Sequence, residues 1–595
     1  MRLYYERRDA RLGDVARLRA RERAISLSRL AAIVVAVLAA TVSMPVIVAI
    51  AVAAFFTLVF VHERVIRARS RAERAAEFYA AGIDRIEGTW VGKASPGNRF
   101  RDDHHPYESD LDLFGRGSLF EMISRAATSA GEAKLATWLK SLAHDASEVA
   151  ARQQAVVELR DAVDFREEMA VVAGRAEAPA GEGAGAPLDE AAITRWANAP
   201  ARSFAPWERI VSLLLPVVSL VVVFLAARPL LLLGPSLVPP FVVVIVIAAQ
   251  MMLARHLGER AEAIVGGVER AEPALSQLAR ILRVAASREF TSPRLIAIRS
   301  RIGAEAAREL DRLGRLVALL DSRRNQFFAP IALLLLWTSN IAVFIERWRS
   351  RNGAAMLEWI DAVGELESLS SLGAFAFENP DYAMPVIATG RAEFVAESLG
   401  HPLIPSGRRV ANDLRLDESM RLLIVSGSNM SGKSTFMRST GLAAVLAFAG
   451  GPVCAKSLRI SPMNIGASIR INDSLQEGAS RFYAEIVRIR QILDLGRGET
   501  PLLFLLDEIL HGTNSHDRRI GAGAVIRRLV ESGGIGLVST HDLALAEIVQ
   551  SIGSHAANVH FEDHIEDGKM SFDYRLQEGV VRKSNALELM RSVGI

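Results

Sequence analysis

The sequence predicts an all-α N-terminal region interrupted by two apolar helical hairpins and followed by a C-terminal α/β domain. Three observations carry that prediction. Leu30 to Val61 contains no charged residue. A second apolar block runs from Ile210 to Ala254. From about Leu399 onward, short apolar runs such as "LLIV", "LLFLL" and "GIGLV" alternate with helical patterns, the signature of a mostly parallel sheet. At 595 residues the chain exceeds what one hydrophobic core organises, so several domains are expected. Half of its residues are hydrophobic while 23% are charged, so the apolar ones must be concentrated locally.

Residues 1–70 comprise a basic N-terminus and the first hairpin. The charge-free run is too long for one span of about 20 residues and slightly short for two. Ser43-Met44-Pro45 breaks it, and serine ahead of proline is a helix-start signal. Two short membrane helices joined by a tight turn are expected, in preference to one buried or re-entrant helix, with Arg29 and Arg64 able to snorkel at the ends. Residues 71–208 begin a helical core. Within it Asp110 to Glu168 has helical periodicity, and 174–187, "GRAEAPAGEGAGAP", is a low-complexity linker. Residues 209–254 form the second hairpin, with its turn in Ala227 to Pro240. Arginines flank both hairpins, and the positive-inside rule places their open ends in the cytoplasm. Residues 255–395 complete the helical core and lever, and 396–595 form the α/β domain.

Composition excludes some roles. The net charge of +3 is small for this length and the cations, mostly arginine, are spread along the chain, so composition makes no case for nucleic acid. The single cysteine, Cys454, excludes an intramolecular disulfide and a cysteine-cluster metal site, and fits a reducing compartment. The charged opening "MRLYYERRDARLGD" and the absence of a small-residue cleavage site argue against a cleavable leader. Four spans without an internal acidic or basic residue offer no pathway for a solute.

Gly427 to Ser434 matches G-x-x-x-x-G-K-[S/T] between an expected strand, Leu422 to Val425, and an expected helix, Lys433 to Ala447. In such a P-loop (Walker A) Gly427, Ser428, Asn429, Met430, Ser431 and Gly432 bring backbone N–H groups around phosphate oxygens. The helix N-terminus adds partial positive charge, and Lys433 reaches the β and γ phosphates of ATP. Ser434 would ligate Mg²⁺, supported by Thr435. "LLFLLDE" is a buried strand ending in Asp507, suited to hold Mg²⁺ through water, and Glu508, suited to orient or deprotonate the attacking water. "GLVSTHD" delivers His541 to the level of the γ-phosphate. ATP and Mg²⁺ are the expected cofactors and ATP hydrolysis the expected reaction, with Lys433, Glu508 and His541 as catalytic residues.

A third apolar stretch, Phe327 to Ile345, has the length of a span. Crossing there would place the P-loop in a compartment without ATP, so a buried or membrane-surface helix is expected instead. The expected location is the inner (cytoplasmic) membrane, multi-pass, with the α/β domain in the cytoplasm.

These residues resemble the MutS family of DNA mismatch repair proteins, which are ABC-type ATPases. "GSNMSGKST" is similar to the family's GPNMGGKST and keeps its asparagine and methionine. "LLDEILHGTNSHD" is similar to LLDEIGRGTST-D, "STHDLALAEI" to ATH-x-x-EL, and "IGASIRINDSLQEGASRFYAEI" to IGASDDL…G-STFM-EM. A weaker resemblance reaches back to Asp110, where "LDLFGRGSLFEMISRAATSAGEAKLATWL" looks like the start of the family's helical core and lever. The resemblance implies a homodimer through the α/β domain, with Ser480 acting in trans on the partner's nucleotide. It also implies an adenine ring on Tyr574, opposite Arg409 or Val410, and mismatched or branched DNA as the load on the levers. No segment resembles the family's mismatch-reading domain. The letters Phe165-Arg166-Glu167 match its wedge but stand in a charged helix, a chance match. The second hairpin sits where the family inserts a DNA clamp, which implies a membrane anchor in the clamp's place. Two loads stay open: DNA held near the membrane, or a protein or membrane partner moved without DNA.

Overall fold

The computed structural model describes residues 2–174, 188–229, 234–326, 328–428, 431–469, 481–510, 515–541, 543–566 and 569–581. The first hairpin is α1 (Arg2–Thr41) and α2 (Pro45–Ile86). Its turn is closed by Ser43 at a φ of 56° and by Met44 N donating to Ala39 O at 2.9 Å. Pro45, with no N–H to lose, opens α2. The two short apolar helices expected here are the tips of two long ones, because no proline interrupts the alanine- and arginine-rich stretches beside them, which favour helix. At the far end Tyr4 stacks on Phe377 at 5.1 Å and meets Tyr79 edge-on at 5.5 Å.

The helical region continues through α3 (Leu119–Ile123), α4 (Ser129–Lys140), α5 (Ala146–Asp161), α6 (Val163–Ala173), α7 (Glu190–Ala197), α8 (Pro206–Ala227), α9 (Pro240–Ser287), α10 (Pro293–Asp321), α11 (Ala329–Leu334) and α12 (Trp337–Glu378). Among the described residues α1, α2, α8 and α9 are long and apolar enough to cross a membrane, by length and composition. Large apolar side chains on them stand exposed, including Phe60 at 68% and Val244 at 66%. The third apolar stretch is broken between α11 and α12 at Leu336, whose φ is 49°. Phe165, Arg166 and Glu167 are structural: Phe165 packs edge-on to Phe290, Arg166 Nη1 donates to Tyr4 Oη at 3.3 Å, and Tyr79 donates to Glu167.

The long helix α12 is the spine of this region, with α4, α5, α9 and α10 packed along it. Gly364 lets α4 approach: a Cβ there would lie 2.8 Å from the Ala130 carbonyl. Three residues on, buried Glu367 accepts hydrogen bonds from Thr128 Oγ1 (2.5 Å), Thr128 N (3.2 Å) and Ala127 N (3.3 Å) at the start of α4. Burial outweighs these bonds and pushes its carboxyl up to about 7 from 4.5. A raised carboxyl contributes stability that is complete below 4.5 and is lost as the pH rises through about 7. The loss is on the order of 3 kcal/mol. The apparent unfolding temperature should therefore fall more steeply between pH 5 and 8 in the wild type than in Glu367→Gln, whose amide is neutral throughout.

The α/β domain opens with β1 (Val386–Ile387), β2 (Phe394–Leu399) and β3 (Asn412–Leu416), followed by β4 (Leu422–Ser426) and α13 (Lys433–Ala449). Next come β5 (Ser457–Ile460), β6 (Asn464–Ser468), α14 (Arg481–Leu495), β7 (Leu502–Asp507), α15 (Ser515–Glu531), β8 (Ile535–Thr540), β9 (Ala556–Glu566) and β10 (Lys569–Glu578). The main sheet has the order β10-β9-β4-β8-β7-β6, parallel except for β10, and a smaller mixed sheet runs β1-β5-β2-β3. The continuous apolar runs follow from burial on both faces. Leu423, Val425, Leu503 and Leu505 enter the core shared with α13 and the helical region. Their alternates Leu422, Ile424, Leu502 and Phe504 enter a second core under α14 and α15.

Candidate functional site

Strand register assembles the site. Ser426 at the end of β4 is level with Thr540 of β8, and Asp507 of β7 is level with Ser539. The next residues in each strand, Gly427, Glu508 and His541, therefore leave the same carboxyl edge of the sheet, where open α/β sheets bind ligands. There Glu508, with Asp507 and the loop residues Ser428 and Gly432, borders a cavity of about 1030 Å³ whose wall also includes Tyr574 of β10.

The loop bends as the motif requires. Gly427 has a φ of 145°, and a Cβ on it would lie 2.8 Å from Ser431 Oγ. Gly432, at a φ of 108°, starts α13, and a Cβ there would press on the Tyr574 ring at 3.1 Å. Lys433 is buried, and its Nζ donates to the carbonyls of Gly427 (2.7 Å) and Ser428 (2.9 Å). Burial lowers its pKa, opposed by the carboxylates of Glu508 and Asp507. Its Nζ lies 3.9 Å from Glu508 Oε1, which is 3.3 Å from His541 Nδ1.

Ser434 Oγ donates to Asp507 Oδ2 at 2.5 Å, and Ser539 Oγ donates to Asp507 Oδ1. This pairing of a hydroxyl and a carboxylate beside the loop fits a hard, oxygen-seeking cation such as Mg²⁺. Thr435 lines the same cavity. Glu508 turns out of β7 at a φ of 46°, held by its N–H donating to Ser539 O (3.3 Å) and Oγ (3.2 Å).

Tyr574 sits where β10 shifts register between Phe572 and Leu576, at a φ of 55°, half exposed on the cavity wall. Asn412 fixes it, Nδ2 donating to Tyr574 O at 3.0 Å and Oδ1 accepting from Leu576 N at 2.7 Å. Of the two residues expected opposite, Val410 shares the cavity. Arg409 points away, donating to Ile404 O at 2.7 Å and lying over the Tyr382 ring. Asn429, Met430 and Ser480 lie outside the described residues.

Sequence reasoning missed Glu485. It is buried at 1%, lines the cavity and accepts a hydrogen bond from Leu510 N, bracing the turn that carries Glu508. The signal was an acid interrupting the apolar stripe of Phe482, Ile489 and Ile492 on α14. The site is also joined to the helical region. Leu111 packs against Gly441 of α13, Arg438 Nε donates to Asp110 O at 3.0 Å, and Asp110 Oδ1 accepts from Ile469 N at 2.7 Å.

Residues 423–595 match the family model described as MutS domain V. The match takes in the P-loop, the two strand-end acids, His541 and Tyr574, and leaves the hairpins and the helical region outside it.

Proposed function

Through residues 423–595 the chain is a member of the MutS family, and on that premise we propose that it is a membrane-anchored ATPase whose dimer closes on ATP, hydrolyses it and moves helical levers. The observation that carries this reading is the convergence of Lys433, Ser434, Asp507, Glu508 and His541 at one sheet edge. Ser434 and Asp507 would hold Mg²⁺, whose contribution when bound is to neutralise charge on the phosphates. The buried ammonium of Lys433 binds the β and γ oxygens, and the loop amides orient them. Glu508 orients the attacking water and takes its proton, while His541 holds the Glu508 carboxylate and meets the γ-phosphate. Ser480 acts on the partner subunit's nucleotide, and Tyr574 stacks on adenine across from Val410. The packing of Leu111 on Gly441 supports transmission from the P-loop helix into the levers.

MutS proteins generally dimerise and bind DNA, and by that likeness the levers act on mismatched or branched DNA at the cytoplasmic face of the inner membrane. One feature favours a second load, a membrane or protein partner without DNA. The helix α9 runs unbroken for 48 residues from the apolar hairpin into the bundle, a stiff link between the two. ATP turnover of detergent-purified protein with homoduplex, mismatched and branched DNA, beside a Glu508→Gln control, separates the loads. DNA stimulation supports the first. Neither stimulation nor binding at low salt, where phosphate contacts are strongest, would overturn it in favour of the second.

A further inference from the structure

We propose that residues 329–340 form a wedge seated in the cytoplasmic leaflet of the bilayer, carried on the membrane-facing end of the α12 lever. The inference rests on the reading of α8 and α9 as a membrane hairpin. The wedge is stitched to that hairpin by polar groups that an apolar surface would not otherwise retain. Gln250 of α9 is buried at 4%, accepts from Ser219 Oγ of α8 and donates through Nε2 to Leu334 O. Asn340 Nδ2 donates to Leu335 O at 3.1 Å and to Ser212 O at 2.9 Å. Leu334 and Leu335 stand at the carboxyl end of the six-residue helix α11, where carbonyls lack intrahelical partners. Satisfying those carbonyls from side chains is what lipid surroundings require.

Depth follows from the same contacts. The base of the hairpin is marked by Glu208, paired with Arg260 at 2.5 Å and His256 at 2.8 Å. From His256 to Gln250, α9 rises about 9 Å toward the apolar tip at 1.5 Å per residue. The Leu334 carbonyl thus lies on the apolar side of the ionic base, within the roughly 5–10 Å that interfacial elements penetrate.

The exposed surface matches that depth. No charged residue occurs from Asn325 to Ile345, and Ile331 (48%) and Leu333 (66%) stand exposed. Leu213 and Met251 of the hairpin, next in sequence to the Ser212 and Gln250 that bind Asn340 and Leu334, are exposed as well, as a shared lipid surface requires. Toward the aqueous side, Trp337 meets Phe328 edge-on at 5.3 Å and donates through Nε1 to Leu319 O at 2.7 Å. Amphipathic rings of this kind favour the headgroup level. Beyond them Arg323 and Arg324 pair with Glu269.

The helix α12 carries the wedge without a break to Glu378, whose carboxylate pairs with Arg85 at 2.5 Å and Arg125 at 3.6 Å. Just before that end, Leu372 packs on Gly451, beyond α13. A shift of the P-loop helix is thereby delivered to lipid.

The test uses the full chain in phospholipid vesicles with Cys454→Ser and single cysteines at Leu333, at Leu220 in the hairpin, and at Ile296 on α10, each bearing an environment-sensitive fluorophore. Lipids brominated along the acyl chain serve as quenchers. The proposal expects loss of emission at Leu333 and Leu220 but not at Ile296, with Leu333 most sensitive to bromines near the headgroup. Quenching at Leu220 without quenching at Leu333 would overturn the wedge and leave the hairpin standing. Quenching at neither would overturn the hairpin reading and the wedge with it.

Discussion

Glu508→Gln should lower the turnover number for ATP by about 10²–10⁴-fold while leaving ATP affinity close to that of the wild type. The amide is isosteric and can still meet Lys433 Nζ and His541 Nδ1, which lie 3.9 and 3.3 Å from Oε1 in the wild type. It has no basic oxygen to accept the water's proton. On the proposed function affinity resides elsewhere, in the loop amides, Lys433 and Ser434, whose hydroxyl meets Asp507. Steady-state phosphate release beside equilibrium nucleotide binding checks both halves. Unchanged turnover would remove Glu508 from the reaction; lost binding would make it a structural residue.

Lys433→Ala should weaken ATP binding about 100-fold, the equivalent of about 3 kcal/mol for a charge-assisted contact. The wild-type ammonium is desolvated and already held by the loop carbonyls at 2.7 and 2.9 Å, so little ordering remains to be done when phosphate arrives. Removing it also takes away a positive charge that faces Asp507 and Glu508. The readout is thermal: millimolar ATP should raise the apparent unfolding temperature of the wild type and not of the variant. An equal rise in both would contradict a phosphate contact at Lys433.

How much of this was legible in the sequence depended on the range of the interactions. The strand–loop–helix at 422–449 was legible to within two residues, because loop chemistry and apolar runs are local signals. Asp507, Glu508 and His541 were legible as strand-end residues, since parallel strands of similar length end on one edge. The mixed sheet of β1, β5, β2 and β3 was not, because strands of two to six residues carry too little periodicity. Neither was the choice of Val410 over Arg409, which turns on where one guanidinium finds a carbonyl. The length of α1 and α2 was hidden because attention to the charge-free tips leaves the charged helix beside them uncounted. The break at Leu336 and the links from Gln250 and Asn340 join segments far apart in the chain, which no local pattern records.

The central claim, that nucleotide state at the P-loop moves the helical levers, is tested most directly by a distance between the two parts. Spin labels at exposed Ile520 on α15 and exposed Leu319 on α10, in a Cys454→Ser, Glu508→Gln background, report it in vesicles. The account predicts different distance distributions with ATP and with ADP. Identical distributions, with ATP binding confirmed in the same sample, would contradict it.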